Sequence, residues 1–400
     1  MKIFTKTYMK LLALYSSQYI PLGFFFGAIP AILGSNGVSM EVIGSIYMLG
    51  LFWVLKFLWA PFIDRFTLFS SKSHYKSWLY LIQSLLSLSV FICAFFSITE
   101  SFVISICLIA FINFFSSLQD ICVDGLVLNN INRDELEYAN AIQTSGTFIG
   151  AMIGLALPLI SYELYTWKVT LIILSILTIL PVFILYSIDE GKKEVISDRF
   201  KYLKGFSLLK QKSIYSLFFI MIPAYWIVEG TFGLIQQLLL KYEWSLIDIV
   251  ISQNFIGSIF GILGALLVGT AISKIGKAKS YRIISVLIFI DILLMINYKS
   301  FFDDHILVTI LLSYNYFCLG LFMTIYYTYI MSNSSKEYAG TQVNLQHSIL
   351  LFVSLIYSKL IFNLASAQGF SSAFKILAVV FLASSIYSYF FFKDESYAKQ

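Results

Sequence analysis

Residues 102–128 read FVISICLIAFINFFSSLQDICVDGLVL, eighteen uncharged residues followed by Asp120 and Asp124. A hydrocarbon core about 30 Å thick takes about 20 apolar residues in helical form, so this stretch predicts a membrane-spanning helix. Its two acids are four residues apart and share one face. A charge at the helix centre costs about 2.5–3.5 kcal/mol on insertion scales, so two of them on one stripe require partners and point to a polar interior.

The rest of the 400-residue chain has the same character. It is 59% hydrophobic and 12% charged, with a mean hydropathy of +0.83. The polar shell of a soluble globule is missing. Apolar runs predict helices at 11–34, 42–63, 77–98, 102–128, 139–162 and 169–188, and again at 214–238, 247–272, 282–297, 305–332, 340–365 and 373–392. A polar, basic stretch divides two equal sets. The expected organisation is therefore a six-helix bundle over 1–188, a cytoplasmic linker over 189–212 and a second six-helix bundle over 213–400, an all-α polytopic membrane protein with twelve spans.

Basic residues test the orientation. With an inside start, 21 of the 27 Lys and Arg fall on the cytoplasmic side, four fall outside, and Lys56 and Lys359 lie within spans. This bias places both termini and the linker in the cytoplasm, so the net charge of +5 reflects topology and not a nucleic-acid partner. The first run is longer than the hydrophobic stretch of a signal peptide and is expected to be retained. Cys93, Cys107, Cys122 and Cys318 lie singly in apolar runs, which suggests neither disulfide nor zinc. The nearest approach to a phosphate loop, Gly269 to Ala278, lacks its first glycine and its Ser or Thr. No cofactor or metal is expected, and a gradient-driven carrier is a simpler expectation than an enzyme or a nucleotide-driven pump. Two matched six-helix halves fit a transporter whose bundles rock about a midplane site.

The ionisable residues within spans are the first functional pointers. Lys56 lies eight residues before Asp64 and Asp120 nine before Asn129, so at 1.5 Å per residue both sit about 12–14 Å from their helix ends and a Lys56–Asp120 pair is allowed. Snorkelling of Lys56 to the interface is the alternative, and for Asp120 and Asp124 it is a structural ion pair. Glu229 stands mid-span in the seventh helix, where burial favours its neutral form and makes it the leading proton-exchange candidate. Asp291 in the ninth helix ranks below it. Substrate candidates are the polar residues on the other spans: Gln18 and Tyr19, Gln119, Tyr225 and Trp226, Tyr314 and Asn315, and the dense cluster Gln342, Asn344, Gln346 and His347. Gly146, Gly150 and Gly154, and Gly257, Gly261 and Gly264, form small-residue stripes expected to pack helices closely.

Three motifs carry a family resemblance. The stretch from Val42 to Gly50, with Lys56-Phe-Leu-Trp-Ala-Pro61-Phe-Ile-Asp64-Arg65-Phe66, resembles the second helix and following loop of AmpG-type muropeptide permeases and acetyl-CoA transporters of the major facilitator superfamily. The run from Phe115 to Asp124 resembles that group's fourth-helix signature, and Gly340-Thr341 with Leu345 its eleventh-helix entry. The resemblance implies a cytoplasmic gate built on Asp64 and Arg65 with a fourth-helix acid, here Asp124. Muropeptide permeases are longer, and in size and in residues 340–346 the chain is more similar to the siderophore-uptake branch. The resemblance thus implies uptake across the bacterial inner membrane, with a ferric siderophore as the first expected solute and anhydromuropeptide as the second; the intramembrane acids add the expectation of a proton-coupled symporter, and a monomer among lipids is expected. A membrane transferase using Asp120 and Asp124 as base or metal ligands is a remoter expectation, and the short outward connections count against it.

Overall fold

The computed structural model describes residues 5–68, 73–190 and 201–392, without the side chains of Met40, Lys201, Tyr202, Leu203, Glu229, Phe232, Leu246 and Ile247. Twelve long helices follow one another, with no strand among the described residues. They are α1 (Lys6–Ser35), α2 (Glu41–Leu58), α3 (His74–Cys93), α4 (Phe102–Asn130), α5 (Arg133–Leu164), α6 (Trp167–Tyr186), α7 (Ser213–Lys241), α8 (Val250–Ile275), α9 (Lys277–Ile296), α10 (His305–Ser332), α11 (Ala339–Gln368) and α12 (Phe370–Phe391). Eleven are apolar and long enough to cross a membrane. The exception is α9, whose 20 residues include Lys277, Lys279, Arg282 and Asp291. Counted with α9, the helices make twelve crossings, which return both termini to one side, and the basic bias makes that side the cytoplasm.

Prolines and glycines explain several of the places where the helices depart from a uniform rod. The expected second span, 42–63, breaks at Leu55 and restarts as a short helix, Ala60–Arg65, with Pro61 in its first turn. Proline has no N–H to continue the ladder but suits an N-terminal position. In α1 a π-helical stretch, Phe24–Ala28, lies just before Pro30, and in α7 another, Leu217–Met221, lies just before Pro223. A proline ring clashes with the carbonyl four residues back, and a widened turn relieves that clash. The first helix of each set of six thus carries the same device. Between α8 and α9 the chain turns through Gly276 at φ 82°, a conformation that costs glycine nothing.

By contact the chain divides into two compact units. The first comprises residues 1–133, 146–207 and 334–348, so it contains the opening of α11. Its apolar core joins α1, α3, α4 and α6 through Ile20, Phe24, Ile32, Leu86, Val90, Ile109, Ile112, Trp167 and Leu171. Along α5, a Cβ on Gly150 or Gly154 would collide with the carbonyl oxygens of Ser16 and Ile20, so these glycines let two backbones meet. The second unit comprises residues 134–145, 208–333 and 349–400, including the opening of α5. There α8 and α10 approach as closely: a Cβ on Gly264 would meet Phe317 O, and one on Gly320 would meet Gly261 O. Large apolar side chains such as Val103, Phe111, Phe183 and Val379 remain exposed, as a lipid-facing surface requires.

Candidate functional site

The polar interior of the first unit is assembled on α1, α2 and α4. Lys56 lies on a short 3₁₀ stretch at the end of α2 and is 1% exposed. Its Nζ pairs with Asp120 Oδ2 and stands 5.1 Å from the centre of the Trp53 ring. Asp120 also accepts Gln18 Nε2 from α1. One turn along α4, Asp124 accepts the Tyr15 hydroxyl at 3.2 Å, while Gln119 Nε2 donates to Ser17 Oγ at 3.3 Å and Ser116 Oγ to Gln18 O at 3.3 Å. Four consecutive contacts therefore zip α1 to α4. Tyr19 packs its ring 6.0 Å from that of Trp53.

This network carries one lysine against two carboxylates in a nearly dry setting. Desolvating an ion pair costs energy that the pair only partly returns, whereas losing one partner strands a charge. The arrangement is held by geometry more than it contributes to stability. Its amide acceptors are incompletely used: Gln18 Oε1 and Gln119 Oε1 are buried without a hydrogen-bond partner, as is Trp53 Nε1. Buried polar atoms of that kind are normally satisfied. His347, from the opening turns of α11, is buried within electrostatic range of Lys56.

A second cluster forms at the end of the α2 region. Asp64, fully buried, accepts the Tyr75 hydroxyl at 2.5 Å and the Gly340 amide at 3.1 Å on Oδ1, and the amide and hydroxyl of Thr341, each at 2.7 Å, on Oδ2. It thereby satisfies two of the otherwise unpaired amides that open α11. Gly340 is required by the close approach, since a Cβ there would lie 2.9 Å from both Asp64 Oδ1 and Ile121 Cγ2. Around this latch, Arg133 Nη2 donates to Ser334 O at 3.1 Å and Lys336 Nζ to Asn129 O at 3.2 Å. Arg65 is half-buried over the Phe66 ring. Outside the membrane span, the Tyr338 hydroxyl is pushed up to about 12 by burial, with Glu337 and Asp64 adding to it.

The other sequence candidates are distributed differently. Gln342 Oε1 accepts Ser335 N at 2.7 Å, Asn344 Nδ2 donates to Gly340 O at 2.9 Å, and Gln346 Nε2 donates to Ser334 Oγ and Gln342 O. These bonds brace the turn that presents Gly340 and Thr341, while Asn344 Oδ1 is buried without a hydrogen-bond partner. In the second unit, Tyr225 packs against the rings of Phe322 and Tyr326 on α10, and Trp226 is buried with Nε1 unpartnered. Tyr314 donates to Leu287 O at 2.9 Å and Asn315 to Asp291 at 2.7 Å, so both bond to α9. Glu229 lies on α7, and its side chain is outside the described residues. Sequence reasoning passed over Tyr15 and Tyr75. Tyr15 precedes Gln18 by one turn, a spacing that marks a shared face, whereas nothing local to Tyr75 announces its contact with Asp64.

Comparison with known proteins adds the family. A Major Facilitator Superfamily profile matches residues 11–358. The chain is 25% identical over 398 residues to "Putative transporter AmpG 3" of Rickettsia prowazekii, covering 95% of this chain and 92% of that protein. Among solved structures, the human organic anion transporter MFSD10 aligns at a TM-score of 0.74 with 12% identity, covering 95% of this chain and 98% of its own. The proton:xylose symporter XylE aligns at 0.70 with 11% identity and 96% coverage of each. At such identities the likeness to those structures is one of fold.

Proposed function

The chain belongs to the Major Facilitator Superfamily, whose members are secondary transporters of small solutes and not enzymes, and from that premise we propose that it imports anhydromuropeptide across a bacterial inner membrane in symport with protons. The observation that carries this proposal is the buried Lys56–Asp120–Gln18 network with its two unpartnered amide oxygens. Lys56 is the cation that an anionic solute would seek, Asp120 competes for it, and a proton on Asp120 would release it. Gln18 and Gln119 offer acceptors for the amide and hydroxyl donors of a sugar-peptide. Support for the solute class comes from the AmpG-named relative that matches almost the whole chain. The ferric siderophore expected from chain length has no comparable support and takes second place.

In this proposal residues 1–188 and 213–400 act as the two rocking bundles of a monomer, joined by 189–212. Asp64, with Arg65 beside it, serves as the cytoplasmic gate by holding the N-terminus of α11, and transport requires that hold to break and reform. Glu229 is a second proton candidate. Tyr225, Trp226, Tyr314 and His347 are further contacts to be tested singly.

The test is accumulation of radiolabelled anhydromuropeptide and, in parallel, ferric siderophore in cells lacking and then re-expressing the chain, with and without a protonophore. The expected result is muropeptide uptake that is lost with the protonophore and in Asp120→Asn at unchanged membrane abundance. Siderophore uptake alone would replace the solute. Normal uptake by both Asp120→Asn and Glu229→Gln would remove these acids from the mechanism.

A further inference from the structure

The second unit holds a carboxyl group that the network around Lys56 does not involve. Asp291, on α9, is 3% exposed, and Asn315, on α10, is 1% exposed. Asn315 Nδ2 donates to Asp291 Oδ2 at 2.7 Å. The other oxygen of each group, Asp291 Oδ1 and Asn315 Oδ1, is buried without any partner. Among the described residues no Lys, Arg or His pairs with Asp291.

An ionised carboxylate in this position would be a bare charge in a bundle surrounded by lipid, which is among the costliest arrangements a membrane protein can adopt. The neutral acid removes that cost and also accounts for the two orphan oxygens. A hydrogen on Asp291 Oδ1 is the one donor missing from the pair. Given to Asn315 Oδ1, it would make a cyclic acid–amide pair in which the amide donates once and accepts once. A metal cation would need several more oxygen ligands, whereas a proton needs only this one.

The surroundings agree. On α10, Tyr314 and Cys318 share a hydrogen bond near the carboxyl, but the Tyr314 hydroxyl is donated to Leu287 O, and a thiol at that depth supplies no positive charge. The charged residue of the packed stretch of α8 is Lys274 in its last turn, and α12 carries Lys375 in its second turn with Tyr387 and Tyr389 near its end. On α9 itself, Lys277, Lys279, Tyr281 and Arg282 cluster in the first two turns, nine or more residues from Asp291. The adjoining α7 carries Tyr225, Glu229 and Lys241. Tyr225 packs toward Phe322 and Tyr326.

We propose that Asp291 and Asn315 form a proton-binding pair between α9 and α10, occupied by a proton in the conformation described. Release of the proton breaks the Oδ1 bond and leaves a carboxylate that must recruit water or a new donor, so the packing of α10 on α9 changes with protonation. This pair would be a further proton site beside Asp120 and Glu229, and its part in coupling rests on the transport function proposed above.

The test is an infrared pH titration of the full chain in lipid bilayers, comparing the wild type with Asp291→Asn, Asp291→Glu and Asn315→Leu. In the wild type near neutral pH a protonated-carboxyl C=O band is expected that is missing from Asp291→Asn, is retained in Asp291→Glu, and moves in frequency in Asn315→Leu because its hydrogen-bonded partner is gone. Identical difference spectra for the wild type and Asp291→Asn would overturn the proposal, as would a band indifferent to Asn315→Leu. Thermal unfolding of each variant identifies a misfolded one, and Asp291→Glu then still reads the site. The spectrum needs no substrate, so it separates the two proposals. A chain that shows the band but accumulates neither solute refutes the importer and keeps the proton site, and uptake without the band does the reverse.

Discussion

Replacing Asp64 by Asn tests how the opening of α11 is held. The carboxylate accepts four donors, two on each oxygen, and an amide of the same shape has one oxygen. Whichever way the amide is turned, its NH2 faces a pair of donors that includes one backbone N–H, from Gly340 or Thr341. The hydroxyl of that pair can rotate away, but the backbone amide cannot. Hydrogen bonds to a charged group contribute about 1.5–3 kcal/mol each. With two lost and some re-pairing, the latch weakens by about 3 kcal/mol, which at about 1.4 kcal/mol per tenfold raises the released population roughly 100-fold. The assay is hydrogen–deuterium exchange of the protein in lipid nanodiscs, read on peptides covering residues 338–345. The expected outcome is a fall of roughly two orders of magnitude in protection of the Gly340 and Thr341 amides, if exchange follows local opening. Tyr75→Phe removes a hydroxyl donor and leaves both amides paired, so it serves as the control with a much smaller change. Unchanged exchange in Asp64→Asn would refute the reasoning, and so would an equal loss along the whole of α11.

Two further outcomes are expected. Lys56→Met leaves Asp120 buried with only Gln18 as partner and is expected to cost about 3–5 kcal/mol of stability, most of which returns in the double variant Lys56→Met/Asp120→Asn. Denaturant-dependent unfolding of the four proteins checks this, and additivity of the two single substitutions would exclude the pairing. Gly154→Val forces a side chain against Ile20 O on α1 and is expected to lower stability by about 1–3 kcal/mol. The same change at Gly34, where nothing lies within 4 Å of a Cβ, is expected to cost far less, and equal melting temperatures for the two variants would contradict the close approach.

Much of the architecture was legible because its causes are local. A run of apolar residues long enough to cross a bilayer must form a helix, since every backbone group needs a partner within the span, and this fixes the spans whatever they pack against. Counting basic residues then orients them. Depth along α2 and α4 put Lys56 level with Asp120. The functional clusters were legible only in part. The row Gln342, Asn344 and Gln346 was legible as a polar cluster, but not the local bonds that brace it, which form because a helix opening has unpaired backbone groups close at hand. The bond from Asn315 to Asp291 was not legible, since no spacing rule links positions on different helices.

The sequence by itself determined that this protein lies in a membrane, how many times it crosses and which way round, because those properties depend on lengths of apolar chain and on charges near its ends. Only the tertiary structure decided which buried charges meet. Asp64 finds its donors 276 and 277 residues away, and such pairings depend on which helix faces lie together, a consequence of the packing of all the helices at once.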